Sequence, residues 1–165
     1  MANKINLKID GIDITVDEGT TVLEAAEKLN IHIPTLCYHK DLCVAGNCRV
    51  CVVEQAGAKA LQASCALPVS EGMEILTNSL KVRNARKHIV ELLLAEHDEE
   101  CTKCYKNGNC ELQDLAAEFM TSDSGFINLV DFKDYTIDMY SPSIIKDDSK
   151  CVRCQRCVRT CAELQ

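Results

Sequence analysis

Eleven of the twelve cysteines fall in three groups: Cys37, Cys48, Cys51 and Cys65; Cys101, Cys104 and Cys110; and Cys151, Cys154, Cys157 and Cys161. Cys43 is left over. A disulfide-stapled secreted protein would suit an even cysteine count. The opening "MANKINLKID" carries charges and lacks the apolar stretch of a secretory signal, so the expectation is a reducing, cytoplasmic setting. C-x-x-C steps serve chelation better than long-range stapling. The chain therefore reads as metal-loaded, with groups of four, three and four thiols defining three sites.

Composition narrows the function further. A formal net charge of -7 with four Tyr and three Phe gives no basis for nucleic-acid binding. "IVELLLA" is short and interrupted by Glu91, so no membrane span is expected. No nucleotide fingerprint, P-loop or nucleophile–base motif occurs, which puts any substrate chemistry elsewhere.

The first half has the patterning of a small α+β domain. "KINLKID" and "IDITV" alternate apolar and polar residues on either side of Gly11, as a hairpin does. Thr20 or Thr21 can cap a helix through "VLEAAEKLN" that buries Val22, Leu23, Ala26 and Leu29. Pro34 then opens a cysteine-bearing loop, and "RVCVVEQ", "ALQASC" and "MEILTN" are strand candidates. The domain is expected to span 1–78, with a second unit over 79–120 and a last segment over 121–165. In the second unit, apolar residues at 82, 85, 89, 92 and 93 predict an amphipathic helix through "LKVRNARKHIVELLLAEH". A shorter helix follows through "ELQDLAAEF", and "TSDSG" and "SPS" mark turns in the last segment.

The final group has the most specific spacing. C-x2-C-x2-C-x3-C is the bacterial ferredoxin run, whose three closely spaced thiolates hold one cube while the fourth serves another cluster. Zinc sites use paired knuckles across a longer loop, so zinc fits poorly. Cys161 is thus a ligand of a further cluster or the fourth ligand of the cube held by Cys151, Cys154 and Cys157. In the first group, Cys43, Cys48 and Cys51 match plant-type C-x4-C-x2-C spacing, which would leave Cys37 out. The middle group has three thiols and His97 four residues ahead of them. His97 also ends a helix, where an imidazole can meet the last carbonyls, so spacing alone leaves its role open. His32, His39 and His88 have no such ladder.

The succession "IPTLCYHKDLCVAGNCRVC", "ASC", "LLLAEHDEECTKCYKNGNCELQDLA" and "KCVRCQRCVRTCAELQ" resembles the N-terminal electron-transfer region of multi-cluster [FeFe]-hydrogenases and of the complex I large iron–sulfur subunit. Formate dehydrogenases and NAD-linked transhydrogenases carry similar segments. The resemblance implies a β-grasp [2Fe–2S] ferredoxin-like domain, then a small helical cluster-binding domain and the start of a bacterial-ferredoxin-type segment. It implies [2Fe–2S] ligation by Cys37, Cys48, Cys51 and Cys65, with Cys43 a small buried bystander, and a [4Fe–4S] cube on His97, Cys101, Cys104 and Cys110. A further [4Fe–4S] cluster is implied at the last group.

By the same resemblance the chain relays single electrons in a flavin-dependent NAD(P)H oxidoreductase of bifurcating hydrogenase or transhydrogenase type. Its partners would be a flavin-bearing NAD(P)H-oxidising subunit, a small [2Fe–2S] subunit and, as a further candidate, ferredoxin. Nothing here matches the second ferredoxin run or the hydrogen-activating motifs of a full hydrogenase. The alternatives are an N-terminal fragment of a catalytic hydrogenase or formate dehydrogenase, and a zinc-stabilised interaction module. Neutral imidazole in place of thiolate should raise the cube's potential, and the helix beginning at Glu111 should stabilise its reduced form. Gly46 either admits backbone close to cluster sulfurs or is a turn glycine. Lys103, Lys106, Arg153, Arg156 and Arg159 flank the ladders; solvated surface charge is the expectation for most of them, with compensation of cluster charge or partner docking as the alternative.

Overall fold

The alternation in the first residues produces a two-residue hairpin. A computed structural model describes residues 3–121 and 135–165. β1 (Lys4–Ile9) pairs antiparallel with β2 (Ile12–Asp17), Ile9 facing Ile12. Asp10 and Gly11 both have positive φ, 50° and 82°, the left-handed pair that matches the twist of adjoining strands. Leu7, Ile9 and Val16 turn to one face and are buried.

α1 (Val22–Lys28) begins at Thr21, the second of the two predicted caps. The Thr21 hydroxyl accepts from the Glu24 backbone N–H, and the Glu24 carboxylate accepts from the Thr21 N–H at 2.8 Å. Two otherwise orphaned donors are thereby satisfied. The helix buries Val22, Leu23, Ala25 and Ala26, with Leu29 packed at the margin. Each fully buried Val or Leu contributes about 1.5–3 kcal/mol relative to exposure.

β3 (Val52–Gln55), β4 (Gln62–Ala63) and β5 (Glu74–Leu76) complete a five-stranded mixed sheet in the order β2-β1-β5-β3-β4. β1 and β5 run parallel, so the central pair needs the α1-bearing crossover that joins distant segments. Ile75 and Val53 complete the core against α1. This is the β-grasp arrangement expected of the first domain.

The chain divides into two compact units, 1–86 with 155–165, and 87–154. α2 (Leu80–Ala95) contributes to both. Val82, Arg86 and Val90 form a buried i, i+4, i+8 row, Ala95 is buried at its end, and the predicted Leu92 is 46% exposed. Arg86 takes a core position because its guanidinium donates to the Val52 carbonyl at 2.8 Å. Periodicity counted only apolar residues and could not include an arginine.

In the second unit α3 (Glu111–Glu118) follows the cysteine ladder and buries Leu112 and Leu115. β6 (Ile137–Asp138) and β7 (Lys146–Asp147) form a small antiparallel ribbon, with bends at 141–143 where "SPS" predicts a turn. The "TSDSG" signal lies, after Thr121, outside the described residues. α4 (Arg156–Leu164) belongs to the first unit. Among the described residues no helix is long and apolar enough to cross a membrane.

Candidate metal centres

Between α1 and β3 the chain forms a loop held by its own sulfurs. The Cys37 N–H points at the Cys48 Sγ at 3.4 Å, and the Cys48 N–H returns to the Cys37 Sγ at 3.5 Å. The Cys51 and Cys65 sulfurs stand 3.4 Å apart. Cys37, Cys51 and Cys65 are buried and Cys48 is half-buried. Four sulfurs thus form two pairs within electrostatic reach of each other.

Each pair favours one thiolate. The Cys48 thiol, backbone N–H groups of Cys48 and Asn47, and the Arg159 charge pull Cys37 down, while burial opposes them. Cys51 is pulled down chiefly by the Cys65 thiol and further by Cys65 and Ser64, again against burial. Cys48 and Cys65 are pushed up by their partners and by burial. A thiolate-rich pocket with N–H groups directed at sulfur suits iron–sulfur ligation, since those hydrogen bonds also tune cluster potential. Gly46, at φ 57°, has room for a Cβ, whose nearest neighbour would be the Ala66 Cβ at 3.8 Å. The turn conformation, not crowding, selects glycine there.

Cys43 stands outside these pairs and is exposed, which corrects the expectation of a buried bystander. Its thiol donates to Glu163 at 2.6 Å and its N–H donates to the same carboxylate at 2.8 Å. The carboxylate raises the Cys43 thiol above its ordinary range, with Arg159 opposing. Arg159, one of the five charges flanking the ladders, is not a solvated surface charge: it is 8% exposed. It donates to the carbonyls of both Cys37 and Cys43, and Arg156 donates to the Tyr38 carbonyl at 3.1 Å. Charge near a cysteine ladder was visible in the sequence. That these side chains face the first cysteine loop was not.

The second site lies in the second unit. His97 follows the end of α2, its N–H bonded to the Leu94 carbonyl at 2.9 Å. With Cys101, Cys104 and Cys110 it lines a cavity of about 200 Å³ whose walls include Leu94 and Leu112. The three thiols are half-buried. Cys104 closes a tight turn onto the Cys101 carbonyl at 3.0 Å, and Cys110 is the N-cap residue of α3. Gln113 braces the intervening loop, accepting from the Gly108 N–H and donating to the Asn107 side chain.

The Nδ1 of His97 is buried with no hydrogen-bond partner among the described residues. Burial, then the nearby Lys150 ammonium, pushes its pKa down, partly offset by Asp98 and Asp147. The balance favours the neutral imidazole, the form that can ligate a metal. Lys150 also ion-pairs with Asp98 at 2.6 Å. An orphaned imidazole nitrogen sharing a cavity with three thiols is a donor set that fits a cube. Of the two lysines beside this ladder, Lys106 lines the cavity, whereas Lys103 is exposed and paired with Glu100.

At the third group, Cys151 and Cys154 are half-buried in the second unit, whereas Cys157 and Cys161 are exposed on α4. Arg153 and Gln155 adopt left-handed φ of 52° and 59°. For non-glycine residues that costs about 1–2 kcal/mol each, so the coiling of this ladder needs support from its surroundings. Arg153 is also exposed and paired with Glu96 at 2.8 Å. Among the described residues no three Cys, His, Asp or Glu donors converge on one ion-sized point.

A mixed sheet gripping one helix, with two sulfur pairs formed by the loop after that helix and by Cys65 just beyond β4, defines an iron–sulfur electron carrier of the [2Fe–2S] ferredoxin type. Residues 2–79 match the model of the 2Fe-2S iron-sulfur cluster binding domain, and residues 86–124 match the NADH-ubiquinone oxidoreductase-G iron-sulfur binding region. The chain belongs to the hydrogenase and complex I iron–sulfur subunit family. It is 45% identical to the NADP-reducing hydrogenase subunit HndD of Solidesulfovibrio fructosivorans, over 98% of this chain and 28% of that one. It is 38% identical to the NADH-ubiquinone oxidoreductase 75 kDa subunit of Reclinomonas americana, over 97% of this chain and 23% of that one. The crystal structure of an NAD+-reducing [NiFe]-hydrogenase in the H2-reduced state matches with a TM-score of 0.87 and 36% identity, covering 96% of this chain and 67% of that chain. The chain thus spans less than a third of the length of either sequence relative. It carries a [2Fe–2S] domain and a [4Fe–4S]-binding region.

Proposed function

We propose that this chain is the electron wire of a multi-subunit, flavin-dependent NAD(P)H oxidoreductase of bifurcating hydrogenase or transhydrogenase type. Cys37, Cys48, Cys51 and Cys65 hold a [2Fe–2S] cluster. His97, Cys101, Cys104 and Cys110 hold a [4Fe–4S] cube. Cys151, Cys154 and Cys157 hold a further [4Fe–4S] cluster, with Cys161 its fourth ligand or a ligand of the next. These sites correspond to three functional segments, 1–78, 79–120 and 121–165. Bound clusters supply reversible one-electron exchange. The chain's part is to hold deprotonated thiols and a neutral imidazole, to direct N–H groups at sulfur, and to exclude water from the first loop.

The observation carrying this reading is the His97 nitrogen, buried without a partner among the described residues in a cavity that it shares with three cysteines. Packing alone would leave an imidazole so placed destabilised by about 1–3 kcal/mol, whereas ligation satisfies it. A flavin-bearing NAD(P)H-oxidising subunit, a small [2Fe–2S] subunit and ferredoxin are the partners this role calls for. The cytoplasm is the compartment that keeps its thiols reduced. The names of the relatives, which describe NADP-reducing, NAD+-reducing and NADH-oxidising proteins, support this placement.

Quantitation of iron and acid-labile sulfide in anaerobically prepared protein, with EPR of the reduced state, tests the proposal. Both elements and separable [2Fe–2S] and [4Fe–4S] signals are expected, and zinc without sulfide would overturn it. The paired sulfurs already disfavour zinc, since four thiolates on a tetrahedral ion surround one point. The partial coverage of the long relatives favours a second reading, in which this is the N-terminal region of a catalytic hydrogenase or formate dehydrogenase. Further cluster-binding motifs in the gene beyond Gln165 would decide for that.

A further inference from the structure

α4 presents Arg156, Arg159 and Glu163 along one face, at i, i+3 and i+7, and each is bonded to the stretch from Cys37 to Cys43. Arg159 is central. Its Nη2 donates to the Cys37 carbonyl and its Nη1 to the Cys43 carbonyl, so one planar fork ties both ends of this arm. The side chain is 8% exposed, and arginine stays protonated even when buried. Among the described residues it makes no direct ion pair; the Glu163 carboxylate, one turn away, is within Coulombic reach, but both its oxygens are bonded to Cys43.

A buried, formally unpaired cation is costly unless an anion stands near it. We propose that Arg159 is a positioning residue of the [2Fe–2S] centre: it clamps the Cys37–Cys43 arm of the ligand loop and sets the reduction potential of that centre. The inference rests on the assignment of Cys37, Cys48, Cys51 and Cys65 as the ligands. A cluster held by four thiolates is anionic and gains a further negative charge on reduction. A fixed cation in a site of low dielectric stabilises the reduced form more than the oxidised one. Arg159 therefore raises the potential, while its two carbonyl contacts keep Cys37, and not Cys43, facing Cys48.

Anaerobically purified full-length wild type, R159Q, R159K and the control R83Q, an exposed arginine of α2, are compared by EPR-monitored redox titration and by cluster loss in excess chelator. Wild type without a [2Fe–2S] signal defeats the ligand assignment itself. With the signal present, R159Q should shift the [2Fe–2S] midpoint to more negative potential and leave the His97 cube's midpoint in place. R159K retains charge but not the fork, so its midpoint should stay near wild type while its cluster is lost several-fold faster. Identical midpoints and loss rates in all four proteins overturn the inference. If both Arg159 variants lack the centre, circular dichroism decides: a folded β-grasp domain with its cube intact supports the clamp, and a generally unfolded chain overturns it.

Discussion

Cys43 gives its thiol to Glu163 at 2.6 Å, a contact spanning 120 residues, and so is committed to a carboxylate instead of to the other sulfurs. Cys37 instead exchanges N–H···S contacts with Cys48. Cys43→Ala should therefore keep the [2Fe–2S] EPR signal at near wild-type intensity, and Cys37→Ala should abolish it. The reverse pattern would return the ligand role to Cys43.

In the proposed ligand set His97 offers a neutral nitrogen where the cysteines offer thiolates. His97→Cys adds a negative charge next to the cube, so its midpoint potential should fall while the [2Fe–2S] midpoint holds. His97→Ala leaves the site one ligand short and should reduce the iron content. A cube with unchanged spectrum and potential in both variants would remove His97 from the ligand set.

Local and core contributions in the first domain should separate by size. Thr21→Ala removes the reciprocal cap with Glu24 and should cost about 1 kcal/mol. Ile75→Ala empties a fully buried site under α1 and should cost about 2–5 kcal/mol. Urea unfolding followed by circular dichroism reads both, and equal losses would contradict this account of the core.

Glu71 accepts from the Asn6 backbone N–H at 2.9 Å and from its side-chain amide at 3.0 Å, which holds its carboxyl below the usual glutamate range. A depressed folded pKa means that the stabilisation is complete above the unfolded value and fades as pH falls through the folded one. Asp17, lowered by Lys4, has the same sign. Wild type should therefore lose more of its urea midpoint between about pH 6 and pH 3.5 than Glu71→Gln does. Comparing the two proteins cancels the acid lability of the clusters, and parallel profiles would show that the Asn6 contacts contribute nothing.

The hairpin, the Thr21 cap, α1 and the grouping of His97 with Cys101, Cys104 and Cys110 around one cavity were legible because their determinants are local. Alternation, a capping box and ligand spacing all act within a few residues of chain. The choice between Cys37 and Cys43 was different in kind, since spacing pointed to Cys43 and the resemblance to Cys37. The contacts that set the two cysteines apart come from Arg159 and Glu163, 116 to 122 positions away, which fold back on the loop that carries them. Arg86 teaches the same lesson, its place in the buried row of α2 resting on a carbonyl of β3. Sequence alone determined which donors exist and how they are spaced. Tertiary structure decided which donors meet, because a buried guanidinium goes where distant carbonyls can accept it, and no local pattern records where those carbonyls will be.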